Sequence, residues 1–213
     1  MSRDKIKLFL IMRIGVICVI FPLFFQNFTL AQSAEDYYNF GNVKDSLGDY
    51  KDALLDYDKA IELNPNYAKA YSERGALKAN FENYNGAIYD YSKAIELNPN
   101  VSIYYCERGK IREKIKDYRG AIQDFNKAIV FNPKFPDAFY QRGMANYKLV
   151  NYIGAIHDFT RTIKLYPNYA KAYTFRGLAK IHLGEKEEGC LDLNKSMELG
   201  DLDAADSIKK YCE

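Results

Sequence analysis

The sequence predicts an all-α fold, a solenoid of five helix-turn-helix units closed by a short capping helix. Sliding the chain against itself brings it into register at a shift of 34 residues, with copies opening at Ala34, Ala68, Ser102, Pro136 and Ala170. Small residues hold the eighth position of every copy (Gly41, Gly75, Gly109, Gly143, Gly177) and the twentieth (Ala53, Ala87, Ala121, Ala155, Gly189), so two helices can approach closely there. Pro65, Pro99, Pro133 and Pro167 close the first four copies. A proline pushes the residue before it out of the helical region, which ends the second helix of each copy just ahead of it. One such hairpin cannot bury both of its faces, so the copies must stack.

The first segment, residues 1–33, precedes the repeats. Its basic start (Arg3, Lys5, Lys7, Arg13), its apolar stretch Ile14 to Phe25 and the small-residue run Thr29-Leu30-Ala31 are the three parts of a secretory signal peptide, with cleavage after Ala31 or Ser33. An uncleaved anchor is the alternative, although the purely apolar part is only 12 residues against the roughly 20 that a helix needs to span a bilayer. The expected location is therefore periplasmic or otherwise extracytoplasmic, with N-terminal membrane tethering as the alternative.

Composition bounds the rest. With 48% hydrophobic and 27% charged residues the 213-residue chain supports a continuous core. Of its 30 basic and 28 acidic residues, the N-terminal segment holds four and one, leaving 26 against 27. Chain-wide there is no basic surplus of the kind a nucleic-acid binder shows, so no nucleic-acid partner is expected.

The five units span 34–67, 68–101, 102–135, 136–169 and 170–203. Bulky columns surround the small ones: Tyr37, Tyr71, Tyr105, Phe139 and Tyr173 on the first helices, and Tyr57, Tyr91, Phe125, Phe159 and Leu193 on the second. Recurring at helical spacing, they read as core packing rather than as a cofactor box.

These 34-residue units, with a glycine, then Ala twelve positions on, an aromatic four further and a closing proline, resemble the tetratricopeptide repeat family of exported bacterial type. The resemblance implies a right-handed superhelix whose concave groove, lined by positions 2, 5, 9 and 12 of the first helices, binds a peptide or partner helix. On this chain the groove candidates are Tyr38, Asn42, Lys110, Tyr140, Met144, Tyr147, Leu178 and Ile181. Tyr140, Met144 and Tyr147, with Leu178 and Ile181 nearby, form the apolar part that would receive a ligand. The basic and asparagine clamp by which family members grip cytosolic heat-shock chaperones falls on Tyr38, Asn42, Glu73, Ile103 and Glu107, of which only Asn42 agrees. The fifth copy departs from the family at Gly189, Ser196 and Asp201, where Ala, Ala and Pro are usual, which reads as decay of a terminal repeat.

One pair of columns bears on assembly. Asp56, Asp90, Asp124, Asp158 and Asp192 fill position 23 of every copy, while position 7 is arginine (Arg74, Arg108, Arg142, Arg176) in all but the first. A ladder between successive units, Asp56 to Arg74, Asp90 to Arg108, Asp124 to Arg142 and Asp158 to Arg176, explains why the first copy lacks its arginine. The competing reading pairs each aspartate with the basic residue three positions on along its own helix.

The tail, 204–213, begins where a sixth first helix would begin and reads as a capping helix. Cys190 occupies a column that is otherwise Leu54, Ile88, Ile122 and Ile156, facing the next unit, and Cys212 lies on the helix that packs there. A Cys190–Cys212 disulfide pinning the cap is expected in an oxidising compartment, with two independent buried thiols as the alternative. His157 and His182 track no repeated chemistry, and no phosphate loop, metal-ligand spacing or Cys-His nucleophilic pairing occurs. The expected function is a non-enzymatic, cofactor-free interaction scaffold. A membrane-tethered assembly factor and a self-associating spacer are the alternatives.

Overall fold

The structure is a computed structural model and describes residues 33–213; the signal-peptide segment lies outside the described residues, apart from Ser33. Among them are eleven helices and no strand: α1 Ala34–Ser46, α2 Tyr50–Leu63, α3 Ala68–Asn80, α4 Tyr84–Leu97, α5 Ser102–Lys114, α6 Tyr118–Phe131, α7 Pro136–Lys148, α8 Tyr152–Leu165, α9 Ala170–His182, α10 Lys186–Glu198 and α11 Ala204–Tyr211. The α1–α2 hairpin belongs to a first compact unit ending at Asn64, and α3 to α11 form a second, Pro65–Glu213. Within the second unit each hairpin packs its second helix on the first helix of the next, and α11 closes on α10 and α9.

The turn inside each hairpin comes from one backbone conformation. Gly48, Glu82, Lys116, Val150 and Gly184, all at position 15, adopt positive φ between 58° and 88°. This left-handed residue lets the next N–H reach back to the helix, as in Asp117 N to Arg112 O at 2.8 Å and Asn151 N to Asn146 O at 2.9 Å. Glycine adopts it freely, whereas the β-branched Val150 does so at a cost. The second helices then start from a side-chain cap in the middle hairpins, where Asn83, Asp117 and Asn151 accept from the N–H of Gly86, Gly120 and Gly154.

The small columns are knob-and-hole contacts. A Cβ on Gly41, Gly109 or Gly143 would fall 2.5–2.8 Å from Cε1 of Tyr57, Phe125 or Phe159, the ring at position 24 of the same hairpin. These rings are fully buried, so the glycine is the seat of the largest fully buried side chain in its hairpin.

The ionic columns pair within hairpins, which corrects the expected ladder. Arg74 holds Asp90 through Nε and Nη2 at 2.9 and 2.6 Å, and Arg108, Arg142 and Arg176 repeat this fork on Asp124, Asp158 and Asp192. Hence Asp90 to Arg108, Asp124 to Arg142 and Asp158 to Arg176 are not the pairs formed; for Asp56 and Arg74, which belong to different units, the partners found are Lys44 (2.7 Å) and Asp90. The overlooked residue type is the base at position 11. Lys44 serves Asp56 in the copy without arginine, while Lys78, Arg112 and Lys180 give Asp90, Asp124 and Asp192 a second cation, and Asn146 donates to Asp158. The same-helix lysines are engaged elsewhere: Lys59, Lys93 and Lys195 pair with Glu62, Glu96 and Glu198. The arginines do join successive hairpins, through position 25: Nη1 of Arg108, Arg142 and Arg176 donates to Ser92, Asn126 and Thr160 of the preceding copy.

The fifth hairpin is a coordinated variant rather than a decayed one. Its position 24 is Leu193 instead of a ring, and the helices close further: a Cβ on Gly177 would meet the Gly189 carbonyl at 2.6 Å, and one on Gly189 the Gly177 carbonyl at 2.7 Å. Ser196 and Asp201 join Thr174 in a buried cluster, with Thr174 Oγ1 2.6 Å from both Ser196 Oγ and Asp201 Oδ2, and Ser196 donating to the Ala170 carbonyl. Polar groups replace the Ala and Pro because each satisfies another. In this structure Cys190 and Cys212 are joined as a disulfide, 5.8 Å between Cα atoms, tying α10 to the end of α11.

Candidate functional site

The first helices of the third, fourth and fifth hairpins, α5, α7 and α9, carry most of the expected groove residues. On α5, Lys110 Nζ bridges Glu107 of its own helix (2.9 Å) and Asp137 of α7 (2.7 Å). Beside it, Cys106 is fully buried, its Sγ 3.9 Å from Asp137 Oδ2. Burial pushes this thiol far above its ordinary range, as for a cysteine packed in a core. Along the same helices lies an open depression of about 460 Å³ lined by Lys110, Glu113, Lys114, Lys116, Tyr118 and Gln141. Partial burial raises the Glu113 pKa, against the opposing pull of Lys148 and Lys114.

The apolar part differs from the expectation. Tyr140 is only 8% exposed: its ring stacks on Tyr169 at 4.8 Å and packs against Phe159 and Phe175. Burial drives the Tyr140 phenol strongly upward, and that of Tyr169 to about 12. Tyr140 is thus part of the wall, and Met144, Tyr147, Leu178 and Ile181 keep partial exposure. Tyr147 meets Tyr152 and Phe175 edge-on and lies 3.0 Å by its hydroxyl from His182 Nε2. His182 in turn stacks flat on Tyr152 and meets Tyr211 of the cap edge-on. Ile181 leans over Gly189.

In the first unit, Asn42 accepts from the Tyr57 hydroxyl at 2.9 Å and Tyr38 packs on the same ring. Asn42 is therefore occupied inside its own hairpin, which removes the one agreement with a chaperone clamp. His157 projects to solvent with three quarters of its side chain exposed.

A family model described as TPR repeat matches residues 41–80 and 114–150. The chain carries tetratricopeptide repeats. A crystal structure of MamA superposes with a TM-score of 0.72 at 25% identity, covering 78% of this chain and 96% of that one. YrrB, titled a TPR protein with an unusual peptide-binding site, gives 0.74 at 25% identity, covering 85% and 94%. PilF of Pseudomonas aeruginosa gives 0.71 at 17%, covering 78% and 76%, a likeness of fold alone. No curated protein matches the sequence. Tetratricopeptide repeats bind proteins or peptides, and this array shares that protein-interaction role.

Sequence reasoning missed Lys114, Lys116 and Lys148. Their signal is positional: counting charge copy by copy, rather than over the whole chain, shows a basic surplus in the third and fourth copies, which hold them.

Proposed function

We infer that the chain is an exported, non-enzymatic scaffold that seats a peptide or partner helix on the face built by α5, α7 and α9. The observation that carries this reading is that one set of first-helix positions holds both a partly exposed apolar row, Met144, Tyr147, Leu178 and Ile181, and an open polar depression around Lys110 and Glu113. Partners anchor through apolar residues and are oriented by polar ones. The peptide-binding site named for YrrB, at 25% identity over most of both chains, supports the same use of this array. Buried Cys106 and solvent-exposed His157 leave neither poised for nucleophilic or acid-base chemistry.

Export rests on the three-part N-terminal sequence and on the Cys190–Cys212 pairing, which suits an oxidising compartment. Panning an immobilised peptide library against the full chain tests the scaffold. Binders are expected, and Tyr147→Ala with Leu178→Ala is expected to weaken them about tenfold; binders indifferent to both substitutions would move the site elsewhere. The intact mass of the protein from its host, alkylated with and without reduction, tests export. A mass starting near Gln32 with two thiols appearing only on reduction is expected, and a full-length mass would favour the tethered alternative.

A further inference from the structure

Charge is segregated along the repeats. Residues 102–169 hold twelve Lys and Arg against six Asp and Glu, a net of +6, between residues 34–101 with seven against twelve (−5) and residues 170–213 with seven against nine (−2). The ion columns do not absorb this surplus. Arg108, Arg112, Arg142 and Lys110 have carboxylate partners, whereas the other eight, Lys114, Lys116 and Lys148 among them, have none among the described residues. Lys114 and Lys116 line the depression on α5, and Lys148, at the matching position of α7, is near enough to act on the charge of Glu113. Lys116 also holds φ at 65°, as Glu82 and Val150 hold 58° and 63° at the same position of their copies.

The geometry points to this cleft as the seat of an acidic segment of a protein partner, its carboxylates meeting Lys114, Lys116 and Lys148. The inference rests on the scaffold reading and names the partner's chemistry. A peptide fits the cleft better than a nucleic acid does. Glu113 lines the cleft and the Glu107–Lys110–Asp137 bridge lies beside it, giving this face acceptors for the N–H groups of a peptide. A polyanion long enough to follow the array would also run onto the fifth copy, 170–203, whose five basic residues stand against seven acidic ones.

The test is fluorescence anisotropy of the full chain with short labelled peptides of glutamate and alanine, of lysine and alanine, and of serine and alanine, at low and moderate salt. The glutamate peptide is expected to bind at least about tenfold more tightly than the others, and more weakly as salt rises. Lys114→Glu with Lys116→Glu and Lys148→Glu is expected to abolish that preference, while Lys51→Glu leaves it unchanged. Lys116→Gly guards against misfolding: it is expected to raise the melting temperature, by relieving the positive φ, yet weaken glutamate-peptide binding several-fold. Glutamate-peptide affinity unmoved by the triple reversal would overturn the inference. So would a single-stranded oligonucleotide that displaces the peptide through the same lysines, or a low-salt oligomer that the reversal dissolves, since the acidic copies of a second chain would then be the occupant. Binding of the serine peptide or of library binders without a glutamate preference would sink the acidic partner and leave the scaffold standing; no peptide binding of any kind would sink both.

Discussion

At the scale of single residues, the buried aspartates carry the heaviest electrostatic load. Asp90, Asp124 and Asp158 are no more than 2% exposed, and each accepts a two-pronged arginine from its own hairpin. The arginines are themselves braced on aromatic faces, Arg74 over Tyr71 and Arg142 over Phe139. Removing one partner leaves a buried charge uncompensated, so Asp124→Ala is expected to cost about 3–5 kcal/mol. A double-mutant cycle on Asp124 and Arg108 should show coupling of roughly 1–3 kcal/mol, and one on Asp90 and Arg108 close to none; urea denaturation of the four variants in each cycle checks this. Glu113 makes the opposite case, since its burial raises its pKa above the ordinary 4.5. The folded state then binds the proton more tightly than the unfolded one, and stability falls as pH rises from the ordinary value through the raised one. Glu113→Gln is therefore expected to stabilise the protein by a few tenths of a kcal/mol, roughly, at neutral pH and to have no effect at pH 3, with solvent screening keeping the gain small. A gain that persists at acid pH would assign the effect to packing.

At the scale of elements, each hairpin is specified by a few positions that act together, and the fifth shows this most clearly. Gly189 stands where the other copies have alanine, and helix propensity alone favours alanine by about 1 kcal/mol. Here α9 and α10 lie so close that a new Cβ would meet the Gly177 carbonyl and Ile181. Gly189→Ala is thus expected to destabilise the protein by about 1–3 kcal/mol despite restoring the common residue, read from the shift in denaturation midpoint. The five hairpins, their helix starts and their stops were legible in the sequence because small, bulky and proline positions recur every 34 residues. The partners of the aspartates were not, because a column shows which residues vary together and not which lie across the helix interface. Lys44, four positions beyond Phe40, was the clue: it supplies the first copy's cation. Ser196 and Asp201 were seen as departures, but their meaning depends on Thr174, which only folding brings to 2.6 Å. Tyr140 illustrates the same limit, since a groove position on a helix becomes a wall once Tyr169, at the end of its own unit, and Phe175 of the next hairpin pack on it.

At the scale of the whole molecule, a total charge of +2 concealed a basic block between acidic ones, so the chain-wide argument against a basic surface was too coarse for a protein built from nearly independent copies. Near-independence also governs stability: in a stack where each hairpin touches only its neighbours, a perturbation at one end should fade along the array. The cap is the place to see it. Of α11 only Ala204 is buried, and the bridge from Cys190 to Cys212 closes a loop with a sequence separation of 22, a crosslink worth about 3 kcal/mol in the chain-entropy account. Breaking it, by Cys212→Ser or by reductant, should free α11 to fray and carry the loss into α10 and α9, whose contacts include Tyr211 on His182. Amide hydrogen exchange is then expected to quicken in α9 to α11 while α3 to α6 keep their protection. Uniform acceleration from α3 onward would mean that the second unit unfolds as one block, and that the cap guards the entire stack rather than its end.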